Sequence, residues 1–564
     1  MSSISAKHEE SGPLTVTAGA KKIFQSIYWD QNRHDSAGED IPRLQVSDVI
    51  SKMSFYYEKI RNAVNYTEEH LVRKDAIFRI LKRQLVIEGS VRLVRADDSV
   101  SIARHLLIEL IRGGYLPNNS LPEIKVDEVA EIIGKYTTLR AIVITQTSSR
   151  FNFFSAAKEN GFESRSELNN WLFGLAASEI EEHIGRNQVA KTTVNVMYGL
   201  LEKRIELPAS LPYERDLPIQ IYIAIYRHFL QFDDEMLSLI LVRYFNADWS
   251  KPTAASLRKV AHGLPILKRV IDAQLVHPIA GQLKRVVAAY TVYFKILEDV
   301  IRENPVEVYD SLTEDPKSFP RRIKRVCSKR YGQAKGKLWR AAWRSIIYIL
   351  LTKSVFAIAL EVPATKFLGE NINPASLAVN VGFPAMLLFL AVAITRLPAD
   401  DNTNRIVSGI EEILFTEKRK ADPIKLRKPI GRHPVMNVIF GFIYIITFCI
   451  SFGGVIWLLD VSHFSWVSII IFLFFLAFVS FFIVRIRRIA KQWIVVPPRD
   501  SLMRFAVDFF SVPIIATGKW LSGKFSRLNI FAFILDFIIE APFKIIVEVA
   551  DQWTRYVRER KEDL

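Results

Sequence analysis

The chain has 564 residues, half of them hydrophobic, about a quarter charged and 12% aromatic, with a mean hydropathy of +0.14. That composition excludes a largely disordered chain; 24 Gly and 24 Pro exclude a collagen-like or low-complexity one, and two Cys exclude a disulfide framework or a Cys-based zinc module. The net charge of +16 is unevenly placed: residues 1–316 carry 39 Lys+Arg against 41 Asp+Glu, and residues 317–564 carry 36 against 18, so the excess positive charge lies with the longest apolar runs.

The N-terminal segment MSSISAKHEESGPLTVTAGAKK is polar and has no apolar core, which argues against a cleavable signal peptide. Residues 1–44 are expected to form a flexible tail. Residues 45–316 read as helices throughout, with apolar residues at three- and four-residue spacing in Ile50–Met53–Tyr57–Ile60–Val64 and Ile77–Ile80–Leu81–Leu85. Asp98–Ser99 can cap the helix SIARHLLIELIR, and Gly113–Gly114 can close it. Ser164 and Glu167 match a capping box. With no sustained strand alternation, this region is predicted to be an all-helical bundle on the cytoplasmic side, or two bundles divided at 206–217.

A basic segment, 317–342, leads into the membrane domain, 343–484. Four stretches are long enough to cross a bilayer: about 343–362, 375–395, 435–459 and 464–484. The last three carry no charged residue, and the first has Lys353 at its centre. Residues 317–344 hold eleven Lys/Arg and no acid, among them Arg321, Arg322, Lys324, Arg325, Lys329, Arg330, Lys335, Lys337, Arg340 and Arg344. The segment between spans two and three and the one after span four are also basic, whereas 363–374 has one Lys and 460–463 none. The positive-inside rule therefore predicts an integral protein of the plasma (inner) membrane with both termini cytoplasmic. The ten cations are candidate contacts for anionic lipid head groups, in addition to orienting span one. Interleaved aromatics are too few to point to nucleic acid.

Residues 400–417 are expected to form a short amphipathic helix, with Ile406, Ile410 and Leu414 on one face. In 485–564, basic and amphipathic, Asp536, Glu540, Lys544 and Glu548 make a polar stripe at four-residue spacing, which suits a helix lying at the interface or packed on the membrane domain better than a fifth span.

No metal-ligand spacing, nucleotide-binding glycine motif or nucleophile elbow occurs, so neither a cofactor nor a catalytic residue is assigned. Cys327 lies among Lys and Arg and is expected to be an incidental thiol. The most informative residue is Lys353, since an intramembrane charge faces the bundle interior and finds partners. On a straight helix Glu361 lies about 80° around from it and does not pair directly. Asn380, Thr395 and Asn437 are candidate partners on neighbouring spans. The fold class is thus all-α: a cytoplasmic helical bundle region, a four-helix transmembrane domain and a C-terminal amphipathic helical region. The leading functional expectation is a non-enzymatic, membrane-anchored interaction or scaffold protein whose helical region binds a protein partner. The alternative is a small transporter or channel, working as a homo-oligomer, that uses Lys353 and Glu361.

Overall fold

The computed structural model describes residues 15–33, 42–46, 58, 68–88, 99–149, 165–185, 187–315, 318–369, 374–395, 397–416, 422–428, 434–496, 502–527, 549 and 553. Among the described residues the fold is all-α, 82% helical, and four helices are long and apolar enough to span a membrane. The described residues divide into two compact units; the second comprises those within 25–291 and 421–428 together with 549 and 553, and the first comprises those within 15–24, 292–420 and 434–527.

In the second unit the helices are α2 (Glu69–Lys82), α3 (Ser99–Arg112), α4 (Ile124–Ser149), α5 (Arg165–Ile184), α6 (Gln188–Glu202), α7 (Leu217–His228), α8 (Asp234–Phe245) and α9 (Ala254–Leu275), with most of α1 (Ala18–Arg33) and the first half of α10 (Ala280–Glu303). The α3 terminus follows the glycine expectation. Gly114 takes φ 73°, and Tyr115 N–H reaches back to Leu110 O at 2.9 Å, which satisfies carbonyls the helix leaves open. Asp233 caps α8 by accepting from Met236 N–H at 3.0 Å. One continuous core runs from Ile77 and Leu106 through Leu172 and Ile219 to Leu237 and Ile271. The 206–217 segment therefore does not separate two bundles: residues on both sides of it bury their apolar faces together. It carries instead a two-residue strand, β1 (Ile205–Glu206), paired in parallel with β2 (Ile424–Lys425).

Helix α5 is the axis of this unit. Residues 171–181 are buried without interruption, acids included. Arg73 of α2 grips Glu181 with Nε and Nη2, each at 2.7 Å. Glu179 accepts from Lys135 at 2.6 Å and Tyr136 at 2.8 Å, both on α4, and from the Trp249 indole at 3.3 Å. A buried charge is tolerated only when its partners are buried with it, and this helix supplies its acids where three neighbours supply donors.

In the first unit, the N-terminal expectation is corrected over residues 15–24. Val16 bridges to Phe415, Thr17 Oγ1 donates to Ile413 O at 2.9 Å, and the first turns of α1 bury Ala20, Ile23 and Phe24. These apolar residues recur at helical spacing, so the segment can bury one face, which a tail cannot. The other elements are the second half of α10, α11 (Pro305–Glu314), α12 (Phe319–Phe356), α13 (Val362–Phe367), α14 (Pro374–Ala393), α15 (Asp400–Leu414), α16 (Pro434–Val461), α17 (Trp466–Lys491) and α18 (Leu502–Arg527). Spans one, two and four (α12, α14 and α17) share a core built from Leu338, Ile346, Leu388, Val479 and Ile483. The third, α16, exposes most of its apolar surface. Helix α15 is amphipathic as expected, with Ile406, Ile410 and Leu414 buried. Asn402 at its start uses every polar atom: its amide donates to Tyr331 Oη and Trp493 O, and its carbonyl accepts from Val495 and Val496 N–H. Helix α18 packs on α16 and α17; Ser451 Oγ donates to Phe510 O at 2.9 Å, and Gly518 lies against the Ala477 carbonyl so closely that a Cβ has no room. The 536–548 polar stripe and the 50–64 periodicity lie outside the described residues.

Candidate functional site

Span one and the basic segment before it form one helical run, Phe319–Phe367, of 49 residues. At 1.5 Å per residue it is ~70 Å long, about twice a hydrocarbon core. Its one irregularity is a π-helical turn at Ala357–Glu361. The cause is in the sequence. Pro363 has no N–H for the carbonyl four residues earlier, and its ring would collide with that carbonyl; widening the preceding turn relieves both.

The wide turn changes which residues share a face. Eight residues separate Lys353 from Glu361, and one α-turn of 3.6 plus one π-turn of about 4.4 residues makes about eight. The 80° offset expected on a straight helix is thereby cancelled, and both side chains are turned to the interior, 0% and 1% exposed. Asn380 of α14, 0% exposed, joins them. Its Nδ2 donates to Glu361 Oε1 at 2.5 Å and to Ser468 O at 3.4 Å. Ser468 of α17 donates to the same Oε1 at 2.6 Å and is approached in turn by Ser465 Oγ at 3.1 Å. Lys353 Nζ sits over the Phe475 ring, 4.1 Å from its centroid. No described carboxylate oxygen comes within 4.0 Å of it. Three buried polar atoms of this cluster have no hydrogen-bond partner among the described residues: Lys353 Nζ, Glu361 Oε2 and Asn380 Oδ1. Each such atom costs about 1–3 kcal/mol, so the cluster is held against a substantial penalty.

Of the sequence candidates, Lys353, Glu361 and Asn380 are brought together. Asn437 is not: it is exposed on α16. Thr395 also lies elsewhere, accepting from Arg487 Nε at 2.8 Å. Ser468 was missed, although the Ser465–Ser468 pair opening α17 is visible as an N-cap signal, and Pro363 was the available sign of the wide turn.

The basic candidates separate into two groups. Arg322 pairs with Glu307 at 2.6 Å, Arg325 with Glu303 at 2.7 Å, and Arg330 with Asp299, so three of the ten are tied to acids on α10 and α11. The other seven, Arg321, Lys324, Lys329, Lys335, Lys337, Arg340 and Arg344, are exposed and have no acid partner among the described residues. Cys327 is fully buried, and burial pushes its thiol up to about 11, opposite to the lowering its basic neighbours suggest. No metal-binding group of His, Cys, Asp and Glu occurs among the described residues.

No family model, curated protein or solved structure matches the chain.

Proposed function

We propose that the protein is an anchored interaction protein of the plasma (inner) membrane, with both termini in the cytoplasm and a helical region that holds a protein partner at the bilayer. The observation that carries this reading is the unbroken run from Phe319 to Phe367, whose basic half is clamped by three ion pairs to α10 and α11. A span joined stiffly to helices outside the bilayer suits positioning of a partner. Charged clusters elsewhere, such as Glu179 with Lys135 and Tyr136, are consumed in mutual pairing and support structure rather than catalysis. The seven free cations suit anionic head groups, each worth about 1 kcal/mol close to the surface.

A second reading, a small oligomeric transporter or channel, is favoured by one observation, the shared face of Lys353 and Glu361. Gently solubilised full-length protein should retain a stoichiometric protein partner, and Lys353→Met should leave that complex intact. A solute or ion flux through wild-type proteoliposomes that Lys353→Met abolishes would refute the anchoring role as the sole function.

A further inference from the structure

The polar atoms around Glu361 do not balance if its carboxyl is ionised. Oε1 already accepts two hydrogen bonds, from Asn380 Nδ2 and Ser468 Oγ. The two bonds that Asn380 Nδ2 donates, to Glu361 Oε1 and to Ser468 O, fix its amide, since turning it over would face its oxygen to both acceptors. What remains is Glu361 Oε2 and Asn380 Oδ1, two acceptors on the same pair of side chains, both without a donor among the described residues. Acceptors cannot satisfy each other, but one hydrogen between them satisfies both, and the carboxyl is the group able to carry it. A carboxylic acid and a primary amide are complementary in this way: the amide N–H donates to the acid's carbonyl oxygen, and the acid's O–H donates to the amide oxygen.

We propose that Glu361 is a neutral carboxylic acid that donates from Oε2 to Asn380 Oδ1, so that the carboxyl–amide pair is a proton-binding site inside the membrane bundle. Lys353 Nζ lies over the Phe475 face, and it is the other ionisable side chain buried among the described residues of the spans. Ser465, half-buried at the start of α17, donates to Ser468 and Ser468 donates to Oε1, so both serines serve the acid's carbonyl oxygen and leave Oε2 to carry the proton. Loss of the proton leaves a carboxylate on the same helical face as the Lys353 ammonium, which then becomes its counter-charge. The proposal goes beyond both functional readings, because the site holds its proton whether or not the protein moves one.

Infrared difference spectra of the full chain in lipid vesicles at neutral pH test this. Wild type minus Glu361→Gln should show the carbonyl stretch of a protonated carboxyl, shifted down in D2O. Lys353→Met should keep that band, and Asn380→Leu should move it to higher frequency by removing the hydrogen bond. Glutamine reproduces the acid's one donor and one acceptor, so Glu361→Gln should unfold at the wild-type temperature or above, whereas Glu361→Ala should unfold lower. Absence of the band from the wild-type minus Glu361→Gln difference would overturn the proposal. So would a Glu361→Gln protein that fails to fold or melts as low as Glu361→Ala, since that is the behaviour of a lost carboxylate.

Discussion

Replacing Glu179 by alanine tests the reading of α5 as an axis held by buried charge. One carboxylate there receives Lys135, Tyr136 and Trp249, with Arg243 at 3.6 Å. Lys135 is only 8% exposed, and burial pulls its ammonium below the ordinary lysine value while Glu179 pulls it back. The substitution strands that ammonium, together with the Tyr136 hydroxyl and the Trp249 indole. Breaking a buried pair by removing one partner costs about 3–5 kcal/mol, most of it from the charge left behind. Since each 1.36 kcal/mol is tenfold, amides of α4, α5 and α8 protected by opening of this unit should exchange at least about a hundredfold faster in hydrogen-exchange mass spectrometry of the full chain. Glu179→Leu combined with Lys135→Met removes both charges and should recover much of the loss, giving strong coupling in a double-mutant cycle. Unchanged exchange in Glu179→Ala would refute the argument, as would independent effects of the two substitutions.

Further outcomes follow from other contacts. Gly518→Leu should detach α18 from α17, because a Cβ there meets the Ala477 carbonyl and Phe481; protease cleavage within 502–527 should rise, and should stay at the wild-type level if α18 packs elsewhere. Burial, with the Lys284 and Arg227 charges, pulls His228 down to about 4. The unfolded chain then binds more protons below about pH 6.5, so stability is full above that pH and declines towards pH 4, by at most about 3 kcal/mol. Denaturant midpoints across this window should show the decline, and His228→Gln should flatten it. Neutralising Lys335, Lys337, Arg340 and Arg344 together should weaken binding of anionic lipid to the solubilised protein. Arg322→Gln and Arg325→Gln, whose charges are already paired, should change it little. Cysteine labelling from outside intact cells should reach 363–374 and 460–463 and miss 402–432; the reverse would invert the topology.

What the sequence by itself determined is what depends on composition over long windows or on local geometry. Apolar runs of about twenty residues, three of them without a charge, are long enough to cross a bilayer as helices, so the spans were readable from hydropathy. The Gly113–Gly114 stop and the apolar face of α15 were equally local. What only the tertiary structure decided depends on which faces meet. The acids of α5 look like a solvated stripe until Arg73 and Lys135 arrive from helices about 110 and 45 residues away. The ten cations before span one look equivalent until Asp299, Glu303 and Glu307 take three of them. Lys353 and Glu361 were both visible, but a uniform helix keeps them about 80° apart. The wide turn ahead of Pro363 adds the missing fraction of a residue per turn, and only packing against Asn380 and Ser468 then reveals a carboxyl with one oxygen doubly hydrogen-bonded and the other without a donor among the described residues.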